Sequence, residues 1–151
     1  MAEALDPEGM LRTIARFPPV ARVLMATVGT LQGTLSAYFA TPVLIRVIDQ
    51  HRGDAGHYER HTDLYRKDTG QVVCRASATL EVDRKDLREL IDARIHGLGQ
   101  ILTVLDIAAA FELEDVGNDR VLWRRYRLSG EGFLFVISEH FAPEAFSVLS
   151  P

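Results

Sequence analysis

Glu139 and Arg60 are the two charged residues of this 151-residue chain whose positions favour a chemical role. Glu139 lies in the segment Phe133 to Phe141, where side chains alternate across a strand and place it on one face with three phenylalanines and Ile137. A carboxylate on an apolar face is costly unless it is paired, protonated or functional. A guanidinium can hold a substrate carboxylate by two parallel hydrogen bonds, and a protonated acid can assist a departing oxygen. The two residues therefore favour a functional site; the structural alternative is that Arg124 or Arg60 only neutralises Glu139.

Arg60 lies in the first strand of a predicted β-hairpin formed by Tyr58 to Arg66 and Gln71 to Val82. A three-residue loop, Asp68-Thr69-Gly70, pairs Lys67 with Gln71 and puts the glycine where a positive φ is required. In this register Leu64 faces Cys74, Thr62 faces Ala76, and Arg60 faces Ala78. Arg60 and Thr62 then share the apolar face made by Val72, Cys74, Ala76, Ala78, Leu80 and Val82. A two-residue loop would instead pair His61 with Ala76 and turn Arg60 to the opposite face.

A second hairpin is predicted from Val121 to Leu128 and Phe133 to Phe141, with the loop at Gly130-Glu131. This register sets the following pairs: Leu128 with Phe133, Tyr126 with Phe135, Arg124 with Ile137, and Leu122 with Glu139. Arg124 then faces the Glu139 side, whereas Arg125 and Arg127 face away.

Apolar residues at helical spacing predict helices from Pro7 to Phe17, ended by Pro18-Pro19, and from Leu31 to Phe39. Asp83 is a plausible N-cap for a helix that runs through Ile95, and residues 101–105 form a short second one. Further assignments are Thr30 as an N-cap, a central strand from Val43 to Ile48, and an exposed loop from Glu112 to Arg120. Antiparallel strands with helices gathered to one side predict an α+β fold in a single domain, residues 1–151.

Composition and motifs exclude several functions. Acidic and basic residues are interspersed at a formal net charge of −4, so no basic stripe is available for nucleic acid. The single cysteine, Cys74, cannot form an internal disulfide. The N-terminus lacks the positive charge of a signal peptide. No apolar run approaches the roughly 20 residues that span a bilayer. We expect a cytoplasmic protein, a monomer or small homo-oligomer, with a small-molecule substrate and no nucleic-acid or membrane partner.

Metal and cofactor sites are not expected. His57 and His61, four residues apart on one strand, would stand roughly 13 Å apart, which is too far to share a metal ion. The glycines do not form a phosphate-binding or dinucleotide fingerprint. Cys74 lies on the apolar face and is expected to be buried packing.

The order of motifs resembles one enzyme family. Three short motifs are Val28-Gly29-Thr30-Leu31 before a helix, Ala76-Ser77-Ala78-Thr79 in the hairpin, and Gly97-Leu98-Gly99-Gln100-Ile101-Leu102. The most specific motif is the C-terminal hairpin. It comprises an arginine-rich strand from Leu122, a Ser129-Gly130 turn, and a strand that ends Glu139-His140-Phe141-Ala142-Pro143. Together, across residues 17–146, they look like the chorismate pyruvate-lyases. This resemblance implies an antiparallel sheet with helices, a buried pocket covered by flaps, and removal of pyruvate from chorismate to leave 4-hydroxybenzoate without a cofactor.

The resemblance also implies residue roles. Glu139 matches the family glutamate that contacts the hydroxyl or ether-oxygen end of the ligand, and Gly99 matches backbone that supports the pocket. The family arginine that binds the ligand carboxylate falls at Thr62. Arg60, two residues earlier, is on the same face about 7 Å away. Arg60 could therefore serve from a shifted position, or a neutral Thr62 could mean a different substrate.

Three functions follow as hypotheses. The first is a cofactor-independent lyase acting on chorismate or a related enolpyruvyl carboxylate, with Arg60 as the carboxylate anchor and Glu139 as the acid. The other predicted substrate-binding residues are Thr62, Leu98, Gly99, Arg124, Ala76, Ala78 and Ile137. The second is an isomerase or cyclase of a specialised pathway with a larger apolar substrate, and the third is a ligand-binding domain without catalysis.

Overall fold

The computed structural model describes residues 2–3, 7–28, 31–118 and 120–146, which form one seven-stranded sheet with helices on one face. The strands are β1 (Ala2–Glu3), β2 (Val43–Arg52), β3 (His57–Arg66), β4 (Val72–Val82), β5 (Ala109–Asn118), β6 (Leu122–Gly130) and β7 (Phe133–Phe141). Their order across the sheet is β1-β5-β6-β7-β4-β3-β2, and every neighbouring pair is antiparallel except β1 with β5. The predicted α+β class, with a single antiparallel sheet, is confirmed.

Five helices cover the sheet in the part of the chain that the structure describes. They are α1 (Pro7–Ile14), α2 (Pro19–Ala26), α3 (Leu31–Phe39), α4 (Lys85–Asp92) and α5 (Leu98–Val104), and short 3-10 turns span Asp54–Gly56 and Pro143–Ala145. None of these helices is long and apolar enough to cross a membrane.

Burial alternates along the strands, and this alternation makes one face of the sheet the core. In β7 every second residue from Phe133 to Phe141 is buried, and in β3 buried Tyr58 and Arg60 alternate with exposed neighbours. Two apolar clusters fill the space between this face and the helices. One lies beneath α1, α2 and α3, and the other beneath α4 and α5.

The first predicted hairpin is confirmed in the part that carries the candidate site. Its pairs there are Leu64 with Cys74, Thr62 with Ala76, and Arg60 with Ala78. Near the turn the predicted pair of Lys67 with Gln71 is wrong. A bulge at Val73 shifts the register, and the backbone N–H of Arg66 donates to the Gln71 carbonyl at 2.9 Å. The bulge lies on the turn side of Leu64, so it does not change which side chains share a face with Arg60.

The second hairpin is confirmed in its strands and is wrong in its register by two residues. The loop is Glu131-Gly132, because Gly132 has the positive φ of 79° that the turn requires. The pairs are Gly130 with Phe133, Leu128 with Phe135, Tyr126 with Ile137, Arg124 with Glu139, and Leu122 with Phe141. A shift of two residues leaves every side chain on its predicted face, but it brings Arg124 directly opposite Glu139.

Strand β5 replaces the loop predicted from Glu112 to Arg120, and that prediction is wrong. Acidic residues disfavour a strand assignment by intrinsic propensity. Here Glu114 faces solvent and pairs with Arg125 and Arg127 of β6 at 3.5 and 3.8 Å. Cross-strand charge pairs of this kind support a strand that its composition does not suggest.

Strand β2 lies at the edge of the sheet, not at its centre as the apolar run Val43 to Ile48 suggests. A bulge at Ile48 leaves that side chain half exposed at 51%. The run looks continuously apolar for two reasons. Helix α3 packs against one face of β2, and the bulge turns the apolar side chain of Ile48 outward on the edge strand. Bulges of this kind are common at sheet edges.

The helix ends also differ from prediction. The structure adds α2, which begins at Pro19, the first helical position that proline favours. Helix α1 stops at Ile14, and α4 stops at Asp92, short of Ile95, with Arg84 instead of Asp83 at the N-cap position. The predicted cap at Thr30 lies outside the described residues.

Gly56 offers a test of how the 3-10 turn meets β4. Its φ is 74°, and a β-carbon added there would lie 2.0 Å from the carbonyl oxygen of Val82. We expect Gly56→Ala to lower the free energy of unfolding by roughly 3 kcal/mol in urea titrations, since backbone must move. Gly70→Ala is the matched control: its φ is 76°, but no atom lies within 4 Å of the added carbon, so the loss should be about 1 to 2 kcal/mol. Equal losses would contradict the steric explanation.

Candidate functional site

The candidate residues form two adjacent rows across the buried face of the sheet. The first row, from β3 to β6, is Arg60, Ala78, Ile137 and Tyr126, and the second is Thr62, Ala76, Glu139 and Arg124. Strands stand about 4.8 Å apart and alternate residues about 7 Å apart, so the α-carbons of Arg60 and Glu139 are separated by roughly 12 Å. The two alanines of β4 lie between them. Their methyl groups leave space above the sheet that longer side chains surround.

A partly enclosed cavity of about 90 Å³ occupies this space. The floor of the cavity is formed by Ala76 and Ala78 together with their neighbours in the two rows. Leu31 and Gln32 of α3 and the segment 97–100 at the start of α5 cover it. Eight of the nine predicted site residues line it: Arg60, Thr62, Ala76, Ala78, Leu98, Gly99, Ile137 and Glu139. The structure thus brings the predicted cation and the predicted acid to one cavity.

Arg60 is 2% exposed and lines the cavity. Its Nη2 donates to the carbonyl oxygen of His96, in the connection between α4 and α5. Its Nε and Nη1 are buried and have no partner among the described residues. Burial, and then the charge of Arg94, lowers the pKa of Arg60 to about 10, so the group stays cationic at neutral pH. A buried cation with free N–H groups beside a cavity is suited to bind an anion.

Glu139 is held by two partners from β6. Its Oε1 accepts a hydrogen bond from Arg124 Nε at 2.6 Å, and its Oε2 accepts one from the Tyr126 hydroxyl at 2.9 Å. Burial, and then the charge of Glu139, raises the pKa of Tyr126, so this hydroxyl keeps the proton that it donates. Each carboxylate oxygen can accept a second hydrogen bond. Glu139 therefore can also accept one from a ligand hydroxyl.

Arg124 is the predicted site residue that does not line the cavity. It is 1% exposed, and besides Glu139 its Nη1 donates to the carbonyls of Met25 and Thr27 at 3.0 and 2.7 Å. The predicted ligand contact of Arg124 is replaced by a structural role. Arg124 orients the Glu139 side chain and also binds the end of α2 to β6 and β7. Within the described part of the chain, the ion pair foreseen as the structural alternative thus exists for Arg124 and not for Arg60.

Three polar residues at the cavity were absent from the prediction: Tyr126, Gln32 and Gln100. Tyr126 was assigned to the correct face, but the shifted register separated it from Glu139. Gln32 and Gln100 reach the cavity from helices, and strand alternation carries no information about which helix covers which part of a sheet. For Gln100 a local signal exists, since its side chain lies 3.4 Å from the backbone N–H of Gly97 at the start of α5.

Cys74 packs beside this site without lining the cavity. It is fully buried, and burial, followed by the charge of Glu139, raises the pKa of its thiol well above the usual value. A protonated, inaccessible thiol is a poor nucleophile. The predicted packing role therefore agrees with its position.

Comparison with known proteins adds no assignment. No family model matches this chain, and no curated protein matches its sequence. The interpretation of the cavity therefore rests on its residues and their geometry.

The same substitution at the two buried arginines is expected to have opposite effects on stability. Arg124→Met leaves Glu139 without its charge partner and should lower the free energy of unfolding by about 3 to 5 kcal/mol. Arg60→Met removes a buried cation that no carboxylate among the described residues neutralises, and it should raise the free energy of unfolding by about 1 to 2 kcal/mol. Urea unfolding of the two variants measures both changes. A loss of stability at both positions would show that Arg60 is already neutralised in the folded protein.

Proposed function

We propose that this protein is a cofactor-independent lyase that acts on chorismate or a related enolpyruvyl carboxylate and releases pyruvate. The observation that carries the proposal is Arg60, whose Nε and Nη1 atoms are buried beside the cavity and have no partner among the residues that the structure describes. A substrate carboxylate supplies the missing charge, and it can accept from Nη1, or from Nε, together with the second proton of Nη2. The resemblance of the C-terminal hairpin to the chorismate pyruvate-lyases points to the same substrate class.

The dimensions of the cavity set an upper limit of a single ring, whose substituents must extend through the open side. An engineered cavity of roughly 150 Å³ takes up benzene, and the volume here is about 90 Å³ in a partly enclosed space. A ring carboxylate held by Arg60 at one end lies over Ala76 and Ala78 and presents its opposite side to Glu139. This size counts against the larger apolar substrate of the isomerase or cyclase hypothesis.

The elimination needs one bond to break and one proton to move. The bond between the ring carbon and the ether oxygen breaks, the ring loses a proton and becomes aromatic, and the departing enolpyruvate gains a proton to become pyruvate. Glu139 is oriented by the hydrogen bonds that it accepts from Arg124 and Tyr126, and in this proposal it takes up the ring proton first. It then acts as the predicted acid when it returns that proton to the enolpyruvate. The apolar walls contribute by excluding water and fixing the ring.

A second candidate is a ligand-binding domain without catalysis. Glu139 favours it, since both carboxylate oxygens already have protein partners, as expected of a group that only recognises a hydroxyl. In this case 4-hydroxybenzoate binds to the cavity and chorismate remains intact.

A direct assay with chorismate tests the lyase proposal. The wild-type protein should release pyruvate and 4-hydroxybenzoate in equal amounts, followed by coupled reduction of pyruvate and by absorbance of the aromatic acid. Arg60→Gln should lower kcat/KM about 100-fold, because the loss of two charge-assisted hydrogen bonds is worth roughly 3 kcal/mol. Arg66→Gln is the matched control, since Arg66 binds Asp68 on an exposed turn. Release of neither product by the wild type would refute the proposal.

Glu139→Gln separates proton transfer from binding. The amide keeps the size and one acceptor but cannot carry a proton, so kcat should fall by about 100-fold or more while 4-hydroxybenzoate still binds. Circular dichroism and calorimetric titration with 4-hydroxybenzoate establish that the variant is folded and able to bind. Turnover at the wild-type rate would contradict the role of Glu139, and wild-type binding without any turnover would favour the ligand-binding domain.

A further inference from the structure

The hydroxyl of Tyr126 lies beside the carboxylate of Glu139 at the wall of the cavity. It donates to Oε2 of Glu139 at 2.9 Å, whereas Oε1 accepts from Arg124 at 2.6 Å. Of these two partners only Tyr126 lines the cavity, together with Glu139 itself. A ligand in the cavity therefore meets Glu139 and Tyr126 as a hydrogen-bonded pair.

The Tyr126 ring is held by two contacts. It stacks on Phe111, with ring centroids 5.1 Å apart and planes at 25°, and the Arg124 guanidinium lies 4.4 Å from its centroid. These contacts fix the ring but not the direction of the O–H bond, because a hydroxyl proton rotates about the C–O bond. The hydroxyl can therefore change its hydrogen-bond partner without movement of the ring.

The protonation state of Glu139 decides what the pair offers to a ligand. While Glu139 is ionised, the Tyr126 proton is directed to Oε2, and the pair presents only acceptors. Once Glu139 has taken up a proton, its own O–H can donate to the tyrosine oxygen, and the Tyr126 proton becomes available to the ligand. The pair can thus take up a proton at one oxygen and release one from another, 2.9 Å away.

The proposed elimination requires two such positions. The proton leaves a ring carbon, and the departing enolpyruvate gains a proton at its methylene carbon, which lies outside the ring. Two hydrogen bonds hold Glu139, so a neighbouring donor serves the second position without movement of the carboxylate. Burial, followed by the charge of Glu139, raises the pKa of Tyr126. A tyrosinate is therefore disfavoured, and the Tyr126 proton must be replaced as it leaves.

We infer that Tyr126 is a catalytic residue that gives its hydroxyl proton to the departing enolpyruvate while it receives the proton of Glu139. This inference rests on the proposed function and names the route of its second proton transfer. The Tyr126 O–H bond breaks, the electron pair of the enolate forms the new C–H bond of pyruvate, and the Glu139 proton moves to the tyrosine oxygen. Tyr126 ends neutral and Glu139 ends as a carboxylate, so both are ready for the next substrate.

A deuterium label on the ring carbon that loses its hydrogen follows the proton. Chorismate labelled in this way is mixed with an excess of wild-type protein in ordinary water, so that each site turns over once. Coupled reduction traps the pyruvate as lactate, whose methyl group is analysed by mass spectrometry. Glu139 passes the deuterium to the tyrosine oxygen, so the lactate should carry none. Deuterium in the methyl group would overturn the inference, because Glu139 would then have returned it directly.

Tyr126→Phe assigns the transfer to a residue, since it keeps the ring and removes the hydroxyl. Glu139 must then return the proton itself, so kcat should fall by about 100-fold, and the remaining turnover should carry ring deuterium into lactate. Tyr65→Phe is the matched control: its ring lies 4.6 Å from the Arg46 guanidinium and does not line the cavity, so it should behave as the wild type. An unchanged kcat in Tyr126→Phe, or lactate without label from that variant, would also overturn the inference.

The outcomes separate this inference from the proposed function. If the wild-type protein releases no pyruvate from chorismate, the proposed function and the inference fall together. If pyruvate is released and its methyl group carries the label, only the role of Tyr126 is refuted, and Glu139 remains both base and acid. Circular dichroism and titration with 4-hydroxybenzoate establish that Tyr126→Phe is folded. Where it is not, the label experiment on the wild-type protein decides alone.

Discussion

The ion pair between Arg124 and Glu139 is the interaction on which the interior of this protein depends. A carboxylate on the buried face of β7 would cost several kcal/mol without a cation beside it. Arg124 supplies that cation from the neighbouring strand, at 2.6 Å, and continues to the carbonyls of Met25 and Thr27 at the end of α2. One guanidinium thus joins β6 and β7 to the end of α2. Because α3 follows and covers the cavity with Leu31 and Gln32, the shape of the cavity depends on this pair.

The two buried arginines differ in what they lack. Arg124 has a carboxylate, two carbonyls and the ring of Tyr126 at 4.4 Å, and it stabilises the fold. Arg60 has one carbonyl and no carboxylate partner in the described part of the chain. A buried cation without an anion is a cost to folding that a purely structural role does not explain. Under the proposed function this cost is removed when the anionic substrate binds, because the substrate supplies the missing charge. Stability and binding therefore place opposite demands on Arg60.

Side-chain faces were predictable from the sequence, whereas registers and partners were not. Alternation put Arg60, Thr62 and Glu139 on the buried face, and this outcome survived a two-residue error in the second hairpin because strand periodicity is two. The same error hid the pairing of Glu139 with Arg124. The bulge at Val73 and the edge position of β2 arise from tertiary packing, which a single strand's pattern does not encode. The cover of the cavity by α3 and α5 depends on how helices dock, and no local pattern reports it.

The middle of β4 explains why a cavity exists at all. Strand interiors favour β-branched and aromatic residues, and alanine is disfavoured there because it packs little surface. Ala76 and Ala78 nevertheless occupy adjacent inward positions in the centre of the sheet, flanked by Arg60 and Thr62 on one side and by Ile137 and Glu139 on the other. Larger residues at these two positions would fill the core and place apolar surface against both charged groups. The alanines instead keep the guanidinium of Arg60 and the carboxylate of Glu139 facing a shared space, which is the geometric requirement for both to act on one small molecule.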